Sequence, residues 1–170
     1  MEEHDNIALD IAVIGNPVLA RKAEEIKNID EKIIELAKRM LYTMYAAPGI
    51  GLAAPQVSQS KRLITVDISV GKNKSDLFIL INPEIIHKEG QDIMEEGCLS
   101  VPGVREPVSR PFQAVIKGIT LEGKEVNLEA EGLAARVFCH EIDHLNGKLF
   151  IDRLSPLKRS LIRKKFKKKN

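Results

Sequence analysis

Hydrophobic positions along this chain fall into two periods. In "NIDEKIIELAKRMLYTMYAAPG" (28–49), Ile33, Ala37, Met40, Leu41 and Met44 recur three or four residues apart. That spacing predicts a helix, with Asp30 as its N-terminal cap and Pro48 and Gly49 as its stop. "RLITVDISV" (62–70) and "LFILINPEII" (77–86) are rich in β-branched residues and predict two strands, separated by the polar turn "GKNKSD". "PFQAVIKGITLEGKEVNLEAEG" (111–132) predicts a hairpin that turns at Glu122 and Gly123. From Leu133 to Asn146 the helical period returns, with Ala134, Phe138, Ile142 and Leu145 on one face and Gly147 past the end. No internal repeat or linker is visible. The sum is an α+β fold: one helix, a block of strands, then a second helix.

Composition narrows the class. The 170 residues are 29% charged and 44% hydrophobic, which suits one globular domain with a sizeable core. The acidic start "MEEHDN" has no basic signal-peptide region, and "IALDIAVIG" is too short and interrupted to span a bilayer. Two cysteines, Cys98 and Cys139, are too few for a disulfide-stapled secreted fold. The expectation is free thiols, a reducing compartment and the cytoplasm, a pattern shared with processed organelle proteins. The net charge of +2 hides an asymmetry, because "KRSLIRKKFKKKN" (158–170) holds eight bases and no acid. The remainder carries 18 bases and 24 acids. Residues 1–157 are therefore expected to form a single domain, and 158–170 a basic C-terminal tail or helix.

The second helix carries the candidate chemistry. "HEIDH" (140–144) places His140 and His144 four apart, on one helix face and roughly 6 Å apart along the axis. Glu141 beside them can reach a water on a shared ion without binding the ion itself. Two histidines can also stand on a surface helix by chance, so the rest of the chain must supply a third ligand. No glutamate follows Glu141, no histidine follows His144, and Phe150 stands where the extended zinc-protease motif has its third histidine. Asp152 is out of step, His4 lies at the terminus, and His87 reads as a solvated turn residue. Cys139 points about 100° away from His140 on the helix and reads as core. Cys98, in the extended stretch "EEGCLSVPG", is free to approach from across the fold. It is the expected third ligand, since thiolate binds zinc and ferrous iron strongly.

"GIGLAAPQV" (49–57), "EEGCLSVPG" (95–103) and "HEIDHLNG" (140–147), in this order and spacing, resemble the peptide deformylase family over about residues 10–155. The resemblance implies removal of the formyl group from N-terminal formylmethionine of new polypeptides. It implies Cys98, His140 and His144 as ligands of one catalytic divalent ion, commonly Fe2+, with Zn2+, Ni2+ or Co2+ suited to the same donors. It assigns Glu141 to proton transfer, and the Gln56 side chain and the Leu99 backbone N–H to the developing oxyanion. Gly51 is assigned backbone hydrogen bonds to the peptide, Ile50 and Val137 the methionine pocket, and Glu96 and Arg105 bracing of the site and contact with the peptide. The bland alternative for Glu96 and Arg105 is a solvated ion pair. One departure stands out: Cys139 occupies the place where the family usually has glutamine. The expected architecture is mixed, mostly antiparallel sheets packed around the metal-binding helix, with an N-terminal helix and a basic C-terminal helix or tail.

Three alternatives fit the residues less well. "GIGLAA" fits a degenerate dinucleotide fingerprint, but it follows a helix instead of a strand. A zincin-type endopeptidase lacks its third ligand here. A purely RNA-binding protein is disfavoured by 4% aromatic content and an acidic body. The basic tail reads either as a solvated cationic terminus or, as the family resemblance implies, as an anchor holding a monomeric enzyme at the phosphate-rich ribosome, near the exit of the nascent chain. Leu161, Ile162 and Phe166 at helical spacing suit such a helix, and no membrane partner is implied.

Overall fold

The computed structural model describes residues 7–168. His4 and the rest of the acidic start lie outside the described residues. Helix α1 (Glu31–Ala46) begins where Asp30 accepts a hydrogen bond from the Ile33 N–H at 3.0 Å. Its buried face is Ile33, Ala37, Met40, Thr43 and Met44. Leu41, expected there, is half-buried, and Thr43 is inside because its hydroxyl takes the Leu9 N–H and donates to the Arg39 carbonyl.

Five strands form one antiparallel sheet in the order β1 (Gly51–Ala53), β2 (Leu63–Asp67), β3 (Leu77–Glu89), β6 (Gln113–Ile119), β7 (Glu125–Glu131). All five residues of β2 are buried because both faces of the sheet are covered. Leu63 packs in the α1 cluster, while Ile64 and Val66 pack against helix α2 (Leu133–Leu145). β2 stops at Asp67, short of the expected 70. Its carboxylate collects the Ser69 and Gly71 N–H groups, the Ser69 hydroxyl and the Tyr45 hydroxyl, which winds residues 68–71 into a turn. β3 runs past the expected end and takes His87 into the strand, where it stays exposed. A bulge between Ile81 and Glu84 accommodates Asn82 and Pro83; Asn82, with φ +50°, bonds both backbone polar groups of Ile26. The β6–β7 hairpin turns at Glu122–Gly123 as expected, with Gly123 at φ +82°.

β4 (Asp92–Cys98) and β5 (Val101–Arg110) make a separate two-stranded sheet. The sequence suggested only an extended stretch around Cys98; β5 contains Pro102 and Pro107. Both are tolerated because a two-stranded ribbon is all edge. α2 lies against β1, β2, β3, β6 and β7, with β4–β5 on its other side. Apart from its first two residues and His140, the helix is buried all round, beyond the single face expected; Ala134 is only half-buried. Its end is fixed by Gly147 at φ +75°, where an added Cβ would lie 2.8 Å from the Ala20 carbonyl oxygen. Helix α3 (Pro156–Lys167), capped by Ser155, runs across the 157/158 junction. Ile162 and Phe166 pack on the cluster of Val101, Val108 and Phe150, whereas Leu161 faces outward.

Candidate metal centre

Three residues from two elements converge on one point. Cys98 ends β4 and enters the turn to β5, while His140 and His144 share a face of α2. Their ligand atoms all lie within 4.8 Å of one another. The two Nε2 atoms are 3.2 Å apart, and Cys98 Sγ is 3.4 Å from His144 Nε2. Tetrahedral bonds of about 2.0–2.1 Å to nitrogen and about 2.3 Å to sulfur place donors roughly 3.3–3.6 Å apart, so the donor set suits a divalent ion. Burial opposes ionisation of Cys98, but His144 and His140 hold its thiol well below the ordinary range, which favours the metal-binding thiolate. Cys139, buried in the α2 core, has its thiol pushed up by burial.

The ring orientation of His140 is set from behind. Its Nδ1 lies 2.8 Å from Glu96 Oε1, which leaves Nε2 facing His144. Glu96 is in turn held by a two-bond fork from Arg110 at 2.9 and 3.0 Å, and by Arg136. Burial works to raise the Glu96 carboxyl, yet His140 and Arg110 hold it at about 2. Arg110 also bonds Asp143 at 2.6 Å, and Asp143 receives a second fork from Arg153. Asp143 is thus held by two arginines and is not among the three converging donors. Phe150, in the place of the extended motif's third histidine, stacks on His140 with ring centres 6.3 Å apart.

On the other side, Glu141 is buried and its Oε2 has no hydrogen-bond partner. Burial pushes its carboxyl above the ordinary range. A Cβ on Gly51 would come within 2.5 Å of Glu141 Oε1 and 2.8 Å of Val137 Cγ1, so only glycine leaves the carboxylate its place. Gln56 sits in a short 3-10 turn after β1, 2% exposed. Its Oε1 accepts the Ala53 N–H at 3.0 Å, and its Nε2 lies 3.3 Å from Ser100 Oγ and 3.5 Å from Cys98 Sγ.

These groups open onto a cavity of about 780 Å³ whose walls include Ile50, Gly51, Leu99, Arg105, Val137 and Glu141. Ten of the eleven site residues singled out from sequence line it, and the eleventh, His144, meets Cys98 and His140. The alternative ion pair between Glu96 and Arg105 is not formed: Arg105 bonds the exposed Glu95 at 3.2 Å, while Glu96 turns inward. Sequence reasoning missed Arg110, Arg136 and Ser100. Ser100 stands inside the quoted "EEGCLSVPG" and was open to notice. The two arginines reach Glu96 only through the fold, with no local pattern to mark them.

Comparison with known proteins follows the same lines. The sequence model of the polypeptide deformylase family matches residues 8–160. A peptide deformylase of Thermodesulfovibrio yellowstonii is 51% identical over 161 residues, covering 95% of this chain and 98% of that one. One from Halothermothrix orenii is 55% identical over 146 residues, 86% of this chain and 93% of that one. Among solved structures, a peptide deformylase from Legionella pneumophila superposes with a TM-score of 0.89 at 41% identity, over 95% of each chain. Another, from Synechococcus elongatus in complex with actinonin, gives 0.87 at 40% identity, covering 94% of this chain and 88% of that one.

Proposed function

The chain belongs to the polypeptide deformylase family, and on that premise we propose which of its residues hold the metal and carry the reaction. The activity is metal-dependent hydrolysis of the formyl amide at the N-terminal formylmethionine of nascent polypeptides, releasing formate. The observation that carries the residue assignment is the convergence of Cys98 Sγ and the two histidine Nε2 atoms beside a buried, unpartnered Glu141 carboxylate oxygen. Cys98, His140 and His144 hold the ion. When bound, a divalent ion supplies Lewis acidity that makes a water a nucleophile near neutral pH. Fe2+ is the proposed native ion, with Zn2+, Ni2+ or Co2+ compatible with the same donors.

Glu141 accepts the proton of the attacking water and returns it to the leaving amine. Gln56 Nε2 and the Leu99 N–H donate to the formyl oxygen as charge develops on it, a contribution of about 3 kcal/mol per donor. Gly51 presents backbone to the peptide, Ile50 and Val137 wall the methionine pocket, and Arg105 meets the peptide at the rim. Glu96, first expected to brace the site and touch the peptide, is better supported as the group that orients His140.

The proposed partners are formylmethionyl peptides and the ribosome near the nascent-chain exit. Contact is through the basic stretch 158–170, with residues 1–157 as a monomeric catalytic domain. Among the described residues no helix is long and apolar enough to cross a membrane. The proposed compartment is the cytoplasm, where such substrates are made.

The test is Glu141→Ala, assayed on formyl-Met-Ala-Ser and for metal content. Metal should stay at the wild-type level while turnover falls about 10²–10⁴-fold. A metal-free variant would make Glu141 a ligand, and wild-type cleavage of internal peptide bonds would favour an endopeptidase.

A further inference from the structure

We propose that Ser100 is a positioning residue for the reaction: its hydroxyl fixes the Gln56 amide so that one N–H points at the reacting oxygen. This rests on the reading of Gln56 as an oxyanion donor. Ser100 is fully buried. A buried hydroxyl without a partner is costly, and the partner here is Gln56 Nε2 at 3.3 Å. The Gln56 amide is a planar group with a distinct acceptor end and a distinct donor end. Its acceptor end is committed, because the Ala53 N–H requires an oxygen, and Oε1 meets it at 3.0 Å. The donor end has two hydrogens. Ser100 takes one, and the other is left on the side of Cys98 Sγ, 3.5 Å away, among the donor atoms of the metal centre.

Backbone contacts make this arrangement rigid. The Ala12 N–H donates to the Gln56 carbonyl at 2.7 Å, and the Ile14 N–H to the Ser100 carbonyl at 2.8 Å. One extended N-terminal segment therefore holds both residues at a fixed separation. Without the hydroxyl, the amide keeps its Ala53 bond and the long bond from Nε2 to Cys98 Sγ, but its donor end loses the Ser100 oxygen and can swing. The second N–H then spends less time on the developing charge, and a donor that must reorganise during the reaction stabilises it less. The effect belongs to the transition state, so it should appear in kcat and leave KM unchanged.

The experiment is a double-mutant cycle on the metal-loaded enzyme, using formyl-Met-Ala-Ser, with Ser100→Ala, Gln56→Ala and the pair. Ser100→Ala should lower kcat about tenfold, the worth of one hydrogen bond, with metal content retained. In the Gln56→Ala background the same change should cost no more than about twofold, because the two residues act as one coupled unit. A second readout uses no turnover. In the wild type the two protons of the Gln56 side-chain NH2 should give separate, exchange-protected NMR signals; in Ser100→Ala protection should be lost. Ser100→Cys, a weaker acceptor of similar size, should fall between serine and alanine in both readouts. An equal loss from Ser100→Ala in both backgrounds, or an unchanged Gln56 signal, overturns the proposal while leaving the donor role of Gln56 standing. Full activity in Gln56→Ala alone overturns the donor role, and the proposal with it.

Discussion

At Glu96 a single carboxylate meets two guanidinium groups and an imidazole, all of them buried or nearly so. Exposed ion pairs contribute little, but removing one member of a buried set leaves the others charged and unpaired. Glu96→Ala should therefore cost roughly 3–5 kcal/mol of stability. It should also weaken metal affinity about 10- to 100-fold, because His140 loses the group that orients its ring. Chemical unfolding and competition with a chelator measure the two effects separately. A variant that loses stability but keeps full metal affinity would make Glu96 a structural group only. The neighbouring Arg105, outside this network and exposed, should give no comparable loss of stability.

The joint between α1 and the end of β2 depends on one residue pair. Asp67 is fully buried and faces Tyr45, Ser69 and Gly71. Burial tends to raise its carboxyl, but the four donors hold it below the ordinary value. Burial and the bond to Asp67 push Tyr45 up to about 12. The signs follow. A depressed Asp67 contributes stability above its unfolded pKa of about 3.9, lost as pH falls through the lower folded value. A raised Tyr45 contributes fully below about 10, lost as pH rises through about 12. Asp67→Asn should therefore cost about 2 kcal/mol across neutral pH, since an amide cannot accept from every donor. The gap in Tm between the variant and the wild type should hold from about pH 5 to 9 and narrow in stronger acid. A gap that does not change down to pH 2 would show that Asp67 is not ionised in the folded protein.

Over the whole molecule the charge is divided, with an acidic body and a basic C-terminal helix. Part of that division is satisfied internally: Lys158 bonds Glu106 and Arg163 bonds Asp152, each at 2.9 or 2.8 Å. Ile162 and Phe166 anchor α3 on the body. Truncation after Ser155 should lower Tm, because it uncovers apolar surface around Val101 and Phe150. Turnover of short formyl peptides should stay within about twofold, since α3 contributes nothing to the cavity and distant sites act independently. Co-sedimentation with ribosomes should weaken on truncation, and for the intact chain it should fall as salt rises. Equal, salt-independent binding by both forms would remove the proposed role of this helix.

Much of this protein is local in origin, and the sequence alone determined it. The α1 cap at Asp30, the stop of α2 at Gly147 and the β6–β7 turn are each set by a few adjacent residues whose conformational preferences need no partner. The pair His140 and His144 is likewise fixed by helix geometry once α2 forms. Even Cys98 was reachable by exclusion, because few other side chains could complete the ligand set. What the sequence could not decide depended on contacts between distant segments. β5 pairs with β4 despite its two prolines because the ribbon has free edges, a fact about pairing and not propensity. β2 ends early because Tyr45, from another element, joins the turn residues on Asp67. Glu96 faces His140 instead of Arg105 because Arg110 and Arg136, brought in from β5 and α2, supply buried positive charge that no residue beside it in the chain could. Electrostatic partnership in a low-dielectric interior is set by where the fold puts each charge, and that was left to the tertiary structure.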